Sequence, residues 1–309
     1  MSLAPLLLLA VVTSSPGAPA APATQKAVLV TGASSGIGRK ITERLAADGY
    51  FVYAGARKDA DIAALTAIPN VKGLRLDVTK PAEIAAAVQT VTQGGRGLYG
   101  LVNNAGVLVL GPLAKADDAD FQYTMDVNVL GVLRVTRAFL PLLQAGKGRV
   151  VTIGSVSGLS GSANFGVYAM SKHAIEAFTD SLAIEMASAG VSVSVIEPGN
   201  FRSDLVTNLV KHVKESAAPD QELLKKLGTG SRPQDKEPEE VALVVKRALF
   251  DEPPQRRYLV TPNKEQAEIF IKRHVEKLVQ INENQPYAFT RDQLVGLVDA
   301  ALAQAKTAR

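Results

Sequence analysis

Tyr168 and Lys172 stand four residues apart in Tyr168-Ala169-Met170-Ser171-Lys172, and Ser155 lies thirteen residues upstream. On a helix, positions i and i+4 share one face, so the ammonium can sit beside the phenol and favour its ionised form. A free phenol has a pKa of ~10, too high for a good base near neutrality, and a neighbouring cation is the means of lowering it. These three side chains make a proton-transfer device.

A second group of residues supplies the device with a context. Directly after the apolar run Ala27-Val28-Leu29-Val30 comes Thr31-Gly32-Ala33-Ser34-Ser35-Gly36-Ile37-Gly38, a glycine-rich turn that opens a helix. Glycines let the backbone come close to a pyrophosphate, and the helix N-terminus offers it unpaired N–H groups and a positive dipole end. In a strand, turn and helix setting this is a nucleotide-binding pattern, although three residues instead of one separate its first two glycines.

The elements that must position these groups follow from the rhythm of the chain. From Lys26 onward, short apolar runs alternate with helical stretches, as βαβ units feeding a parallel sheet do. Strands are expected at 27–30, 51–56, 73–77, 100–103, 149–154, 191–196 and 258–260. Helices are expected at 37–48, 81–93, 118–143 and 168–188, with Thr79 as the cap of the second and Pro238-Glu239-Glu240 opening another. The fold class is α/β, a single doubly wound parallel sheet with a C-terminal helical extension.

Three domain-level segments result: a leader at 1–24, the nucleotide-binding domain at 25–262 and the extension at 263–309. Residues 200–233 are polar and mixed and follow a strand end, where such a sheet presents its ligand crevice, so they are expected to form a substrate lid. In the extension, stretches 264–279 and 291–305 are amphipathic, and Thr290 with Gln293 has capping-box spacing. They are expected to pack on the domain or on another subunit.

Composition removes several function classes. No cysteine is present, which excludes disulfides, thiolate nucleophiles and iron–sulfur ligation. The three histidines, His173, His212 and His274, have no metal-ligand spacing. With 34 basic and 30 acidic residues the net charge is +4, and no basic cluster interleaved with aromatics suggests nucleic acid as a partner. The apolar run 6–12 is too short for a bilayer, which takes ~20 residues. It reads either as a signal-peptide core before Ala18-Pro19-Ala20, which has no basic residue ahead of it, or as a leader without a core of its own. A cytoplasmic location is favoured, with export or membrane association through the leader as the alternative.

Together with Asn103-Asn104-Ala105-Gly106, Asn128-Val129-Leu130-Gly131 and Pro198-Gly199, the glycine turn, Ser155 and the Tyr168/Lys172 pair resemble, in order, the motifs of the short-chain dehydrogenase/reductase family. The resemblance covers about 26–262 and implies a Rossmann-type fold and a reaction between an alcohol and a ketone or aldehyde. It implies catalytic roles for four residues. Tyr168 is the general acid/base, and Lys172 lowers its pKa and binds the nicotinamide ribose. Ser155 holds the substrate oxygen, an orienting effect that lowers barriers by several kcal/mol. Asn128 interrupts its helix to hold a water linking Lys172 to solvent.

Cofactor contacts are implied for Gly32, Ser34, Ser35, Gly36, Ile37, Gly38, Asn104, Ala105, Gly106, Tyr168, Lys172, Pro198 and Gly199. Asp77 is placed against adenine with Val78 along its ring, and Ser203 supplies the hydroxyl of the loop after Pro198-Gly199. At the end of the second strand, Ala56 stands where relatives using NAD(H) carry Asp, and Arg57 follows, which favours NADP(H), since a guanidinium suits a 2′-phosphate. Residues 97–104 and 197–201 resemble the retinol and 17β-hydroxysteroid dehydrogenase branch, which implies a bulky apolar small-molecule substrate. Family habit implies a homodimer or homotetramer.

Two rival readings attach to the same residues. A hydrolase nucleophile fails, because neither Ser155 nor Ser157 stands in G-x-S-x-G and His173 points ~100° away from Lys172 around the helix. A non-catalytic nucleotide-sensing or scaffold protein on the same fold stays open, since fold alone proves no chemistry, although a pure binder has no need of Ser155.

Overall fold

The side chains of the first strand, β1 (Ala27–Val30), are all buried and divide between two cores: Val28 and Val30 face one side, Ala27 and Leu29 the other. A strand apolar on both faces must be covered on both, which is the condition for a parallel sheet between helical layers. The computed structural model, which describes residues 25–215, Lys225 and 236–307, meets that condition.

The remaining strands are β2 (Phe51–Ala56), β3 (Val71–Arg75), β4 (Gly100–Asn103), β5 (Arg149–Ile153), β6 (Ser192–Pro198) and β7 (Arg257–Val260). They form one seven-stranded sheet in the order β3-β2-β1-β4-β5-β6-β7, parallel throughout. The third strand lies two residues earlier than its expected start at Gly73, because Val71 and Leu74 are the residues that turn inward.

Helices α1 (Gly36–Ala47) and, late in the chain, α8 (Glu239–Phe250) cover one face, burying Ile41, Leu45, Val241, Val245 and Leu249 against Val28, Val30, Val102 and Val151. On the other face, α3 (Pro81–Gln93) and α5 (Gly131–Ala145) bury Ile84, Val91, Val135, Phe139 and Leu143 against Leu29, Leu101 and Val150. A short α2 (Asp59–Thr66), which periodicity did not indicate, joins β2 to β3 and buries Leu65. Thr79 does not cap α3: the N-cap is Lys80, and the Thr79 hydroxyl donates to Asp77 Oδ1 at 2.7 Å.

The long helix expected at 118–143 is α4 (Asp118–Met125) running into α5 through a π turn at Asp126–Leu130. Helix α6 (Gly166–Met186) follows β5, and α7 (Leu205–Glu215) follows β6. Two further helices close the chain, α9 (Lys264–Asn282), capped by Asn263 Oδ1 on the Gln266 N–H, and α10 (Arg291–Thr307). The capping box at Thr290 and Gln293 forms in both directions. The leader at 1–24 falls outside the described residues, as do 216–224 and 226–233 of the segment 200–233 expected as a lid, whose first part forms the loop after β6 and α7.

Candidate active site

Between β1 and β4 the strand order reverses, and there the carboxyl ends of the strands open into a crevice of about 340 Å³. Its walls contain Gly32, Ser34, Ser35, Gly36, Ile37 and Gly38 from the first turn, and Asn104, Ala105 and Gly106 from the end of β4. Ser155, Tyr168, Lys172, Pro198, Gly199 and Ser203 line it too, as do Arg57, Asp77 and Val78. Of the residues singled out from sequence, Asn128 alone stands behind the wall.

The turn is shaped to admit a group close to its backbone. Gly32 and Gly36 have φ of +63° and +51°, which side chains rarely adopt, and a Cβ on Gly38 would fall 2.3 Å from both Asn104 Nδ2 and the Gly32 carbonyl. Ser35 is the N-cap of α1 but makes no side-chain cap bond, so the first N–H groups of the helix face the crevice without one. These features fit a pyrophosphate. Asn104 braces the turn, its amide donating to the Thr31 and Gly32 carbonyls at 2.9 and 3.0 Å. Thr31 Oγ1 completes the brace by accepting from the N–H groups of Asn104 and Ala105.

Across the crevice, Ser155 leaves β5 in extended conformation and Tyr168 and Lys172 project from the first turns of α6. All three are buried. In the free protein, burial pushes Tyr168 up to about 12, with the Ser155 hydroxyl beside it pulling the other way. The physical reason is that a shared helix face brings adjacency and dehydration together. Lys172 is itself pushed down to about 8 by burial, opposed by the charge of Glu176. Its Nζ donates to the Ile153 carbonyl at 2.8 Å and lies 5.6 Å from the Tyr168 ring centre.

Asn128 sits on the π turn, where the helical hydrogen-bond ladder is loosened. Its Oδ1 accepts from the Val107 N–H at 2.8 Å, and its Nδ2 donates to the Val107 carbonyl and to Ser171 Oγ. The side chain thus ties the wall at Gly106 and Val107 to the helix that carries Lys172.

At the far end, Arg57 is exposed after buried Ala56, and the nearby carboxylate of Asp59 is ion-paired with Arg75. Asp77 Oδ1 accepts from the Thr79 N–H and hydroxyl, which holds Val78 inward against Gly131. Near Tyr168 the surface is apolar: Leu108, Leu110 and Phe165 meet Leu205, Val206, Leu209 and Val213 of α7. His212 of α7 reaches Asp120 of α4 at 2.9 Å and stacks on Tyr123, closing this side.

Several residues next to the site escaped sequence reasoning. Gln266 of α9 accepts from the Asn200 N–H at 2.8 Å, and Arg273 and Lys277 donate to Ser160 Oγ and the Leu159 carbonyl. One helix therefore touches both the loop after β6 and the loop that carries Ser155. Glu176 and Glu197 also lie just beneath the site. The i+4 step from Lys172 could have pointed to Glu176, but no spacing rule reaches Glu197 or the side chains of α9, which only the fold brings in. Among the described residues, no cluster suited to a metal ion and no helix long and apolar enough to cross a membrane is found.

A family model for short chain dehydrogenases matches residues 26–214. The chain belongs to the short-chain dehydrogenase family. It is an oxidoreductase of that family. It is 34% identical over 239 residues to YbbO of Escherichia coli K12, an uncharacterized oxidoreductase, covering 77% of this chain and 86% of that protein. Over 193 residues it is 43% identical to retinol dehydrogenase 5 of Mus musculus, a match that spans 61% of this chain and 60% of that one.

Among solved structures, a short-chain dehydrogenase from Burkholderia phymatum in complex with NAD has a TM-score of 0.73 at 23% identity, covering 86% of this chain and 98% of its own. That likeness is one of fold. A serine dehydrogenase complexed with NADP+ has a TM-score of 0.67 at 27% identity, covering 76% and 94%.

Proposed function

We propose that this short-chain dehydrogenase interconverts an alcohol and a ketone or aldehyde on a bulky apolar substrate, with NADP(H) as cofactor in preference to NAD(H). The reading is carried by one arrangement: the Ser155 hydroxyl and Tyr168 phenol face the same crevice as the glycine turn, with Leu205 of α7 on its wall and an apolar cluster packed behind. The nicotinamide cofactor is supported by the open helix terminus and close-approach glycines, and by the NAD and NADP+ of the two structural neighbours. Bound there, it supplies or accepts the hydride.

This chain's own residues do the rest. Ser155 donates to the substrate oxygen and holds it beside Tyr168. With its pKa held up to about 12, Tyr168 is protonated near neutrality and ready to give its proton to a carbonyl oxygen. Lys172, as an ammonium, stabilises the phenolate left behind, and Asn128 completes a relay to solvent through a water. Arg57 is the group for the 2′-phosphate, since no carboxylate stands at Ala56 to claim a ribose hydroxyl. Leu205 and Val107 on the crevice wall, beside the apolar cluster of Leu108, Phe165 and Leu209 behind it, favour apolar over small polar alcohols.

The test is a parallel titration with NADPH and NADH, followed by turnover of retinal, steroid ketones and medium-chain ketones. Arg57→Ala is expected to weaken NADPH about tenfold and leave NADH unchanged. Tyr168→Phe is expected to lose about 10²- to 10⁴-fold in turnover with cofactor binding retained. Equal affinity for both cofactors would refute the preference, and an undiminished Tyr168→Phe rate would refute the assignment of the acid/base.

A further inference from the structure

Directly behind Lys172, the i+4 series on α6 continues into Glu176 and Asp180, so that one helix face carries phenol, ammonium and two carboxylates in sequence. Glu197, from the end of β6, faces this row, and Arg257, from β7, reaches it from the side. Arg257 Nε donates to Glu176 Oε2 at 3.0 Å and its terminal nitrogen to Asp180 Oδ2 at 2.8 Å. Glu197 Oε1 lies 3.7 Å from the same Nε. Glu197 is only 3% exposed.

Two oxygens in this cluster have no hydrogen-bond donor, Glu176 Oε1 and Glu197 Oε1, and both are fully buried. The first lies against the loop that bears Ser155: ideal Cβ atoms at Gly154 and Gly158 would stand 3.4 and 3.2 Å from it. Each carboxylate thus buries one oxygen without a donor, which makes ionising both costly near neutrality, and the simplest remedy is one proton between them. Charge balance leads to the same result. Lys172 and Arg257 carry two positive charges inside the cluster, and Glu176, Asp180 and Glu197 carry three negative ones unless one is protonated. Arg256 touches only the outer oxygen of Asp180 at 3.8 Å, and His173 faces Glu176 from the next position on α6.

We propose that Glu176 and Glu197 share a single proton and that Glu176, the ionised partner, is the counter-charge that keeps buried Lys172 an ammonium. Glu176 is then a positioning residue that acts through Lys172 and seats the Ser155 loop between Gly154 and Gly158. Burial and the neighbouring carboxylate push Glu197 up to about 7, so it is the partner that carries the proton, and the charge of Glu176 raises Lys172 against its own burial. The idea rests on Lys172 being part of the proposed chemistry. Its test therefore reads the lysine and the carboxyls in the free protein, where failure of the catalytic assignment has no effect.

Infrared spectra of the full chain are expected to show a buried protonated carboxyl band that fades as pH rises through about 7 and is missing from Glu197→Gln. NMR of isotope-labelled lysine, with Lys172→Met to assign the signal, is expected to show the Lys172 midpoint about one pH unit lower in Glu176→Gln. In Glu197→Gln it falls by clearly less, because Glu197 is the more distant carboxyl from Lys172. Carbonyl reduction should lose rate at alkaline pH in step with these midpoints. An unmoved midpoint in Glu176→Gln, or equal shifts in both variants, overturns the counter-charge. Absence of the carboxyl band in the wild-type protein overturns the shared proton, and that spectrum decides even if Glu176→Gln does not fold.

Discussion

Lys172 shows how one side chain can be costly to the fold and useful to the site. Its pKa falls from 10.5 to about 8 on burial, so between those values the unfolded chain binds the proton that the folded chain has released. Stability therefore rises with pH across that window, and the penalty is fully present below about 8. Chemical denaturation of the wild type and Lys172→Met at several pH values should show the wild type gaining about 3 kcal/mol on the variant over that range. Parallel curves would mean that the ammonium is not dehydrated. At the same scale, Ser155→Ala should lose about 10²-fold in turnover through misplacement of the substrate oxygen, with cofactor affinity unchanged.

Among the elements, the joint between β1 and α1 is tightly constrained. Its turn is packed against the end of β4 so tightly that Gly38 has no room for a methyl group, with Asn104 Nδ2 and the Gly32 carbonyl each 2.3 Å from the Cβ position. Gly38→Ala is expected to cost about 1–3 kcal/mol of stability by overpacking. Cofactor affinity should fall at the same time, and calorimetry with NADPH alongside thermal melts would measure both. A variant that binds normally would show that the Asn104 brace gives way without moving the turn. The π turn is a second constraint. It lets Asn128 face Val107 and Ser171, and no ordinary helix between α4 and α5 would place both of its amide atoms there.

Over the whole molecule, α9 connects loops that are far apart in the chain. Gln266 holds Asn200 after β6, while Arg273 and Lys277 hold Ser160 and Leu159 after β5. Since a hydrogen bond of this kind is worth about 0.5–1.5 kcal/mol net, Gln266→Ala should change global stability little. Its effect should appear as a several-fold weaker cofactor, because the loop it holds includes Gly199 of the crevice wall. Equal losses in stability and affinity would show that α9 is an ordinary part of the core.

Local patterns alone made the strand, turn and helix at 27–47 legible, as they did the sheet's βαβ rhythm, the capping box at Thr290 and the pairing of Tyr168 with Lys172, whereas the role of Ser155 entered through the family resemblance. Each depends on neighbours within a few residues, where backbone periodicity, glycine conformation and helix-end chemistry operate. The opposite holds for α2 and the start of β3, which were settled by which side chains the sheet could bury. Ionisation was likewise beyond the sequence. An i+4 spacing says that phenol and ammonium meet, but how much water surrounds them depends on β5, α7 and the crevice wall. Glu176, Glu197 and Arg257 come from α6, β6 and β7 and meet only once the strands are in register. Residue identity determined which groups could exchange a proton, and the tertiary structure decided their charges, because desolvation is a property of everything packed around a group.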